Sequence, residues 1–323
     1  MAGREVARGD RKADLVVQLA RRRDVAVLLN VEPQTGLAQR FGATIRSFGA
    51  GDNCNPGISG CAGCRPPGCS DGCPDGRAMA IQATWTEVIT PEGSMPAWWA
   101  RPEAPKAAVL VLPEVFGVNG WVRSVADRLA EQGYAALAIS TFWRTAPHLE
   151  ADYNEAGLAL GREHRDRVQA DQLRADVAAA AAWMQHHHSA DGLAGKPLGC
   201  VGFCFGGHLA MLAATLPVMA ATCDFYGARV STDRPGGGAP TLADVPQIPG
   251  RLWCFCGDQD PLMPPEELNA IEQALAAVPG GRHRFVLAPG AGHGYMCEAR
   301  GDFHPEASAA GWAAMLELFS EML

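Results

Sequence analysis

Short apolar runs alternate with longer stretches of helical periodicity along most of the chain, from Trp85 to its end. The predicted strands are Ala107–Leu112, Tyr134–Ile139, Leu198–Gly202, Ala221–Tyr226, Leu252–Cys256 and Arg284–Leu287. The predicted helices are Gly120–Gln132, Arg167–His188, Gly207–Leu216, Pro265–Val278 and Glu306–Met322. Buried strands that alternate with helices are typical of a parallel sheet covered by helices on both faces. We therefore predict a doubly wound α/β domain.

The first 78 residues have a different character. The segment Asp14–Leu29 fits one amphipathic helix, but residues 30–77 lack helical or strand periodicity over any useful length. Residues 1–78 carry eleven Lys and Arg against eight Asp and Glu, whereas the whole chain has a net charge of −8. We divide the chain into a Cys/Gly/Pro-rich extension, residues 1–78, and an α/β domain, residues 79–323.

Five of the eleven cysteines lie within this extension. They are Cys54, Cys61, Cys64, Cys69 and Cys73. They contain a single C-x-x-C, whereas a zinc ribbon uses two such pairs. Three interpretations stay open: a disordered tail, a zinc or iron–sulfur module, and an upstream segment that is not translated in the cell, since Met79 leads directly into the domain. The N-terminal mass of protein from the native host tests the third.

Charge and hydropathy limit the classes of partner. A net charge of −8 and a pI near 5.6 give no basic surface for nucleic acid and disfavour an anionic membrane. The sequence has no apolar run of 18 residues and no export signal, so the cysteines are interpreted as thiols in the cytoplasm. We expect a small-molecule substrate, no nucleic-acid or membrane partner, and a monomer or small homo-oligomer.

The sequence Gly202-Phe203-Cys204-Phe205-Gly206 lies between a predicted strand and a predicted helix. This is the G-x-nucleophile-x-G pattern of a nucleophile elbow, with Cys in place of the usual Ser. Glycine at the flanking positions lets neighbouring backbone pass without a Cβ clash, and the following helix directs its N–H groups and positive dipole end at the turn. Taken alone, the pattern also fits a common Gly-rich turn with a buried Cys.

Two residues downstream favour the nucleophile interpretation. Asp260 follows the strand that ends at Cys256, and His293 follows the next strand. The order nucleophile, acid, histidine is that of the α/β-hydrolases, and each partner follows a strand end where such folds collect their ligands. His293 would move the proton, and Asp260 would orient the imidazole. Asp258 is the competing acid.

With the segment Leu112–Asn119, these residues resemble the dienelactone hydrolase (carboxymethylenebutenolidase) family over residues 85–323. The resemblance implies an α/β-hydrolase fold with a mostly parallel sheet, and an ester or lactone hydrolase that uses a Cys-His-Asp triad, a thioester acyl-enzyme and neither cofactor nor metal. Glu114 matches a family glutamate that contacts the resting thiol until substrate displaces it. The backbone N–H groups of Val115 and Phe205 match the family's oxyanion hole.

The resemblance also implies residues that bind substrate. Arg144 matches a family arginine that binds the substrate carboxylate, and Tyr226 matches an active-site tyrosine, although a tyrosine packed in the core fits equally. The family's second carboxylate-binding arginine falls at Cys297 here, and Arg300 is out of register. This departure weakens the assignment of a dienelactone as substrate.

Three other functions compete with a dienelactone-like hydrolase. A general carboxylesterase or thioesterase would use the same fold and triad. A redox or metal-binding protein would use the N-terminal cysteines, with Cys254 and Cys256, although alternate residues on one strand favour packing in the core. A silent binding protein is disfavoured by the complete set of Cys204, Asp260 and His293. A metal assay and a panel of lactones and esters separate these functions.

Overall fold

A computed structural model of the chain describes residues 80–187 and 193–323. In these residues eight strands form one sheet with helices against it. The strands are β1 (Ile81–Thr90), β2 (Gly93–Pro102), β3 (Ala107–Leu112), β4 (Tyr134–Ile139), β5 (Leu198–Phe203), β6 (Met219–Phe225), β7 (Arg251–Gly257) and β8 (Arg284–Ala288). The helices are α1 (Gly120–Glu131), α2 (Glu155–Arg165), α3 (Ala170–His187), α4 (Phe205–Ala213), α5 (Pro265–Ala276) and α6 (Pro305–Met322), with a 3₁₀ helix at Thr241–Gln247.

The strand order is β1-β2-β4-β3-β5-β6-β7-β8. The six strands from β3 to β8 pair in parallel, while β1 and β2 form an antiparallel hairpin whose second strand adds antiparallel to β4. The predicted doubly wound, mostly parallel sheet is therefore confirmed. A parallel sheet collects the carboxyl ends of its strands at one edge, which prepares that edge for a site.

The central strands β3, β4 and β5 are buried on both faces of the sheet, as their apolar runs predicted. Every residue of β3 is buried; Val109 and Val111 pack into one hydrophobic cluster, and Ala108 and Leu110 into another. Successive side chains of a strand point to opposite faces, so the two clusters lie on opposite sides of the sheet. A strand buried on both faces shows a continuous apolar run instead of an alternating one.

Helices cover each face. Val125 of α1 and Leu318 of α6 belong to the cluster with Val109, while Val177 of α3 and Leu209 of α4 belong to the other. The predicted arrangement of helices on both faces is thus confirmed. Asn119 is the N-cap of α1, and its side chain accepts a hydrogen bond from the backbone N–H of Val122.

The β1–β2 hairpin was not among the predicted strands. Only Val88 and Thr90 of β1 are buried, because this strand is at the edge of the sheet and leaves most of its side chains in solvent. β2 contains Pro96, a residue that disfavours a strand in a sequence pattern. β1 therefore lacks the apolar run by which the parallel strands were found, and in β2 the proline interrupts it.

Helix α2 was also not predicted. Its buried positions are two glycines, Gly157 and Gly161, which give no apolar periodicity. A Cβ at Gly161 would lie 2.1 Å from the carbonyl oxygen of Val115. Glycine therefore lets the helix pack directly on the loop that follows β3.

Residues 1–79 lie outside the described residues, and with them the predicted extension, the boundary of the domain and the cysteine cluster. No helix in the described parts of the chain combines the length and hydropathy needed to cross a membrane.

Candidate active site

Cys204 occupies a tight turn between β5 and α4. β5 ends at Phe203 and α4 begins at Phe205, so one residue connects strand and helix. Cys204 has φ 54° and ψ −118°, a backbone conformation that is costly for a residue with a Cβ. A Cβ at Gly202 would lie 1.9 Å from the carbonyl oxygen of Gly206. The first glycine of the elbow pattern is therefore required by backbone packing.

The second glycine of the pattern brings the turn against the loop after β3. A Cβ at Gly206 would lie 2.2 Å from the Leu112 carbonyl oxygen and 2.5 Å from that of Pro113. The same loop continues into Glu114 and Val115. Position 206 thus allows two strand-end segments to meet, and only glycine fits there.

Cys204, His293 and Asp260 are brought together at the carboxyl edge of the sheet. The Nε2 atom of His293 lies 3.0 Å from Cys204 Sγ, and its Nδ1 atom lies 2.7 Å from Asp260 Oδ2. Because an ionised carboxylate only accepts, Nδ1 is the donor to Asp260. His293 and Asp260 are buried, whereas the Cys204 thiol is partly exposed. This is the arrangement of a nucleophile, a base and an orienting acid.

The electrostatics of His293 follow from these neighbours. Burial alone would lower the pKa of the imidazole. The charge of Cys204 and the hydrogen bonds with Asp260 and Cys204 oppose burial, and together they raise the pKa of His293 above its ordinary value. The site therefore stabilises the protonated form of His293.

The two candidate acids have different environments. Asp260 uses Oδ2 for His293 and accepts a hydrogen bond from the backbone N–H of Leu262 at Oδ1, at 2.8 Å. Asp258 accepts from the Gly290 backbone N–H at 2.7 Å, at an exposed position. Of the two acids, Asp260 is therefore the one hydrogen bonded to His293, while Asp258 connects two loops.

Val115 and Phe205, the two predicted backbone donors, line the same cleft as Cys204. Phe205 is the first residue of α4, so its N–H has no acceptor within the helix. Val115 lies in the loop after β3 and lines the same cleft as Cys204 and Phe205. The positive end of α4 favours negative charge at this place.

A cleft of about 380 Å³ opens above Cys204 and His293. Its walls include Val115, Leu262 and parts of the segments 165–168 and 228–237. Ligand pockets commonly measure about 300 to 1,000 Å³, so this volume suits a small molecule. In the described parts of the chain, no group of three or more His, Cys, Asp and Glu is placed to hold a metal ion.

Comparison with known proteins agrees with this geometry. The sequence profile described as "Dienelactone hydrolase family" matches residues 95–323. This chain belongs to the dienelactone hydrolase family. A Synechocystis protein provisionally named a carboxymethylenebutenolidase is 35% identical over 215 residues, 67% of this chain and 86% of that protein. Like its family, the chain is a hydrolase.

Two further matches extend this family likeness. A carboxymethylenebutenolidase of Rhodococcus opacus is 28% identical over 224 residues, which are 67% of this chain and 81% of that protein. A crystal structure from Klebsiella pneumoniae, provisionally titled a dienelactone hydrolase, has a TM-score of 0.67 and 28% identity, and covers 75% of this chain and 99% of that one. The fold is therefore the α/β-hydrolase fold of this family.

Glu114 is fully buried in this dienelactone hydrolase family member and is paired with an arginine. Its Oε1 atom accepts a hydrogen bond from Arg300 Nη1 at 2.9 Å. Burial alone would lower the pKa of Arg300, but Glu114, followed by Cys204 and Tyr226, raises it. The Glu114 carboxylate thus has the Arg300 guanidinium as its counterion.

Sequence reasoning missed this pair because Arg300 is out of register with the family arginine. Two successive turns after His293 place Arg300 next to Glu114. In the first, Cys297 N donates to Gly294 O at 2.9 Å, and in the second, Arg300 N donates to Cys297 O at 3.0 Å. Gly294 has φ +86°, and a Cβ there would lie 2.5 Å from the guanidinium carbon of Arg300. In the sequence, Gly294, directly after His293, was the signal that could have indicated this turn.

Tyr226 lies behind the histidine. Its ring centroid is 5.3 Å from that of His293, and its backbone has φ +46°. The hydroxyl is buried and has no hydrogen-bond partner among the described residues. Burial, and then the charge of Glu114, raise the pKa of Tyr226 well above its ordinary value, so the hydroxyl stays protonated.

Arg144 does not reach the cleft. Its guanidinium donates to both carboxylate oxygens of Asp176, at 2.6 and 2.9 Å, and to Glu92 at 2.8 Å. It also lies over the ring of Trp143, with 4.4 Å between the guanidinium carbon and the ring centroid. Its donors are therefore used by protein groups, and this geometry does not favour the predicted role in binding a substrate carboxylate.

Proposed function

We propose that this chain hydrolyses a carboxylic ester or lactone with Cys204 as the nucleophile. The observation that carries the proposal is the contact of His293 with both the Cys204 sulfur and the Asp260 carboxylate at the floor of a small cleft. The names of the relatives, carboxymethylenebutenolidases, support a lactone as one substrate class.

The first half-reaction forms a thioester. The proton of the Cys204 thiol passes to His293 Nε2, and the sulfur attacks the carbonyl carbon of the substrate. The oxyanion that forms is stabilised by the N–H groups of Val115 and Phe205. The C–O bond to the leaving group then breaks, and the alkoxide takes the proton from His293, leaving an acyl group on Cys204.

The second half-reaction releases the acid. Water attacks the thioester carbon while its proton passes to His293 Nε2. The C–S bond breaks, the proton returns to the Cys204 sulfur, and the acyl group leaves as a carboxylic acid. Asp260 holds the His293 ring by its Nδ1–H through both halves and stabilises the imidazolium.

Glu114 and Tyr226 support the reaction from behind the cleft in this proposal. An unpaired carboxylate near Cys204 would disfavour an anionic sulfur, and the ion pair of Glu114 with Arg300 reduces that penalty. Tyr226 packs against the His293 ring in a T-shaped arrangement, and this contact restricts the rotation of the imidazole. Both residues therefore hold the reacting groups in place and do not exchange protons with the substrate.

The test is a panel of dienelactones, other lactones and p-nitrophenyl esters, with Cys204→Ala and the matched control Cys200→Ala. Cys200 is buried on β5, four residues before Cys204 in the sequence. Replacing it therefore leaves the reacting groups in place. We expect Cys204→Ala to lower kcat by about 10⁴-fold or more, and intact mass spectrometry to find the acyl adduct on the wild-type protein. More than a few per cent of residual activity in Cys204→Ala, with the fold intact, refutes the nucleophile.

The panel also addresses the alternative that the chain is a general carboxylesterase or thioesterase. Arg144, the arginine expected to select a carboxylate, is bound to Asp176 and Glu92, which favours this alternative for neutral substrates. Equal kcat/KM for neutral esters and anionic lactones would support it. A preference for anionic substrates would require another cation in the cleft.

A further inference from the structure

Strand β8 forms an open edge of the sheet. It is the last strand in the sheet order, and β7 is its hydrogen-bonded neighbour. Its other side therefore carries backbone N–H and C=O groups that no strand of the described residues uses. Natural edge strands are often protected by a proline, a lysine or a bulge. β8 has neither proline nor lysine, and its register with β7 is regular. Another strand can therefore pair with it.

The surface around this edge is apolar. Leu287 is 45% exposed, and Phe285 and Val286 are only half-buried. A groove of about 440 Å³ lies between β8 and α6, and its apolar lining includes Val286, Ala288 and Ala307. Exposed apolar surface of this kind marks contact sites on soluble proteins. A partner at β8 would remove it from water.

The side chains of β8 are complementary to those of a second copy of the same strand. When two copies of this five-residue strand pair antiparallel with full overlap, a twofold axis perpendicular to the sheet places Val286 opposite Val286 of the second copy. Phe285 then lies opposite Leu287 of the second copy, which makes an apolar cross-strand pair. The sheet already accepts an antiparallel neighbour where β2 joins β4. The pairing therefore needs no new kind of strand geometry.

Charge complementarity supports the same register. Arg284, at the start of β8, lies over the ring of Trp253, with 4.8 Å between the guanidinium carbon and the ring centroid. In the antiparallel pair Arg284 is opposite Ala288 of the second copy, on the face of the sheet that α6 covers. Glu306, in the first turn of α6, lines the groove together with Ala288. Arg284 and Glu306 are exposed, and neither forms an ion pair within the described residues. Each arginine would therefore come near the glutamate of the other copy, twice in the dimer.

We infer that β8 is an interaction surface for a second copy of this chain, which adds its own β8 antiparallel and makes one continuous sheet across a dimer. Backbone hydrogen bonds would hold the two strands together, and the apolar pairs and the two Arg284–Glu306 ion pairs would fix their register. The groove beside β8 shares no lining residue with the cleft above Cys204. The inference is therefore independent of the proposed hydrolysis.

The first test exchanges the two charges. Sedimentation equilibrium of the full chain measures the Kd of the dimer. Arg284→Glu and Glu306→Arg each place like charges together at two symmetric positions, so each should raise the Kd about 10-fold or more. The double variant keeps the pair with its charges exchanged and should restore the Kd to within about 3-fold of the wild type. Single variants that leave the Kd unchanged, or a double variant as weak as the singles, overturn the inference.

The second test compares the two edges of the sheet. Leu287→Lys places a lysine on the edge strand β8 and should abolish the dimer. Ile89→Lys is the matched control, because Ile89 is 72% exposed on β1, the opposite edge strand, and its dimer should persist. Circular dichroism verifies that both variants fold. A wild-type chain that stays monomeric, or a dimer lost in Ile89→Lys and kept in Leu287→Lys, overturns the inference. A monomeric wild type that binds the apolar dye ANS, with binding lost in Leu287→Lys, would assign the groove to a small apolar molecule instead.

Discussion

Two regions of this domain are rigid for different reasons. At the floor of the cleft, Cys204 is fixed by backbone packing, because Gly202 and Gly206 lie against carbonyl oxygens with no space for a Cβ. Outside the cleft, the Arg144 side chain is held by hydrogen bonds to Asp176 of α3 and to Glu92. The comparison indicates that backbone packing positions the Cys204 side chain, whereas ion pairs within the protein determine which arginines remain available to bind the substrate.

The largest expected effect concerns the floor. Asp260→Asn should lower kcat about 10⁴-fold, because an amide in place of the carboxylate favours the wrong tautomer of His293. Asp258→Asn should change kcat only a few-fold, since Asp258 contacts Gly290 and not the histidine. Steady-state kinetics of the two variants, side by side, measure the difference. A larger loss for Asp258→Asn would mean that the hydrogen bond to His293 is not the one that matters.

The next effect tests whether the floor depends on backbone packing. Gly206→Ala would place a methyl group 2.2 Å from one carbonyl oxygen and 2.5 Å from another, so the free energy of unfolding should fall by about 3 kcal/mol or more. Gly301→Ala is the matched control, because nothing lies within 4 Å of a Cβ at that position. Urea denaturation compares them. Equal stability of the two variants would contradict the proposed rigidity.

A smaller effect concerns Arg144, which lies outside the cleft. Arg144→Ala removes three charge-assisted hydrogen bonds and leaves the buried carboxylate of Asp176 with the Trp143 indole N–H as its remaining bond, at 3.0 Å. We expect a loss of about 1.5 to 3 kcal/mol in the free energy of unfolding, and an unchanged ratio of kcat/KM for anionic and neutral esters. A loss of anion preference in this variant, with stability intact, would return the carboxylate site to Arg144.

The smallest effect is a titration. Because the Cys204 sulfur helps to raise the pKa of His293, Cys204→Ala should lower that pKa, as measured by NMR of the imidazole. A raised pKa also adds stability that is fully present below about pH 6.5, the unfolded value, and is lost as pH rises through the folded value. The variant should therefore lose less stability than the wild type between neutral and alkaline pH. Identical His293 titrations in both proteins would exclude the coupling.

The sequence predicted the parallel strands and their helices because each buried strand is a short apolar run with a clear end. It also predicted that Cys204, Asp260 and His293 follow strand ends, and parallel strands bring such ends to one edge. Their catalytic roles stay predictions. Strand β1 was not predicted because most side chains of this edge strand are exposed, and β2 because Pro96 interrupts its apolar run. Helix α2 was not predicted because glycines form its buried face.

The pairing of arginines could not be predicted from the sequence. Arg144 meets Asp176 of α3, and Arg300 meets Glu114 through two turns after His293; both contacts join segments far apart in the chain. A family motif fixes the position of an arginine but not its partner. An acidic residue introduced on a neighbouring helix can form an ion pair with the guanidinium of that arginine. Another residue must then bind the substrate.

The contact of Gly206 with Leu112 and Pro113 has a consequence for folding. These residues meet only when β3 and β5 are already neighbours, so the elbow cannot reach its strained conformation by local folding of its own segment. Contacts between distant segments form slowly, because the chain loses entropy before it gains packing. During refolding, the strained turn at Cys204 should therefore appear together with the central sheet and not before it.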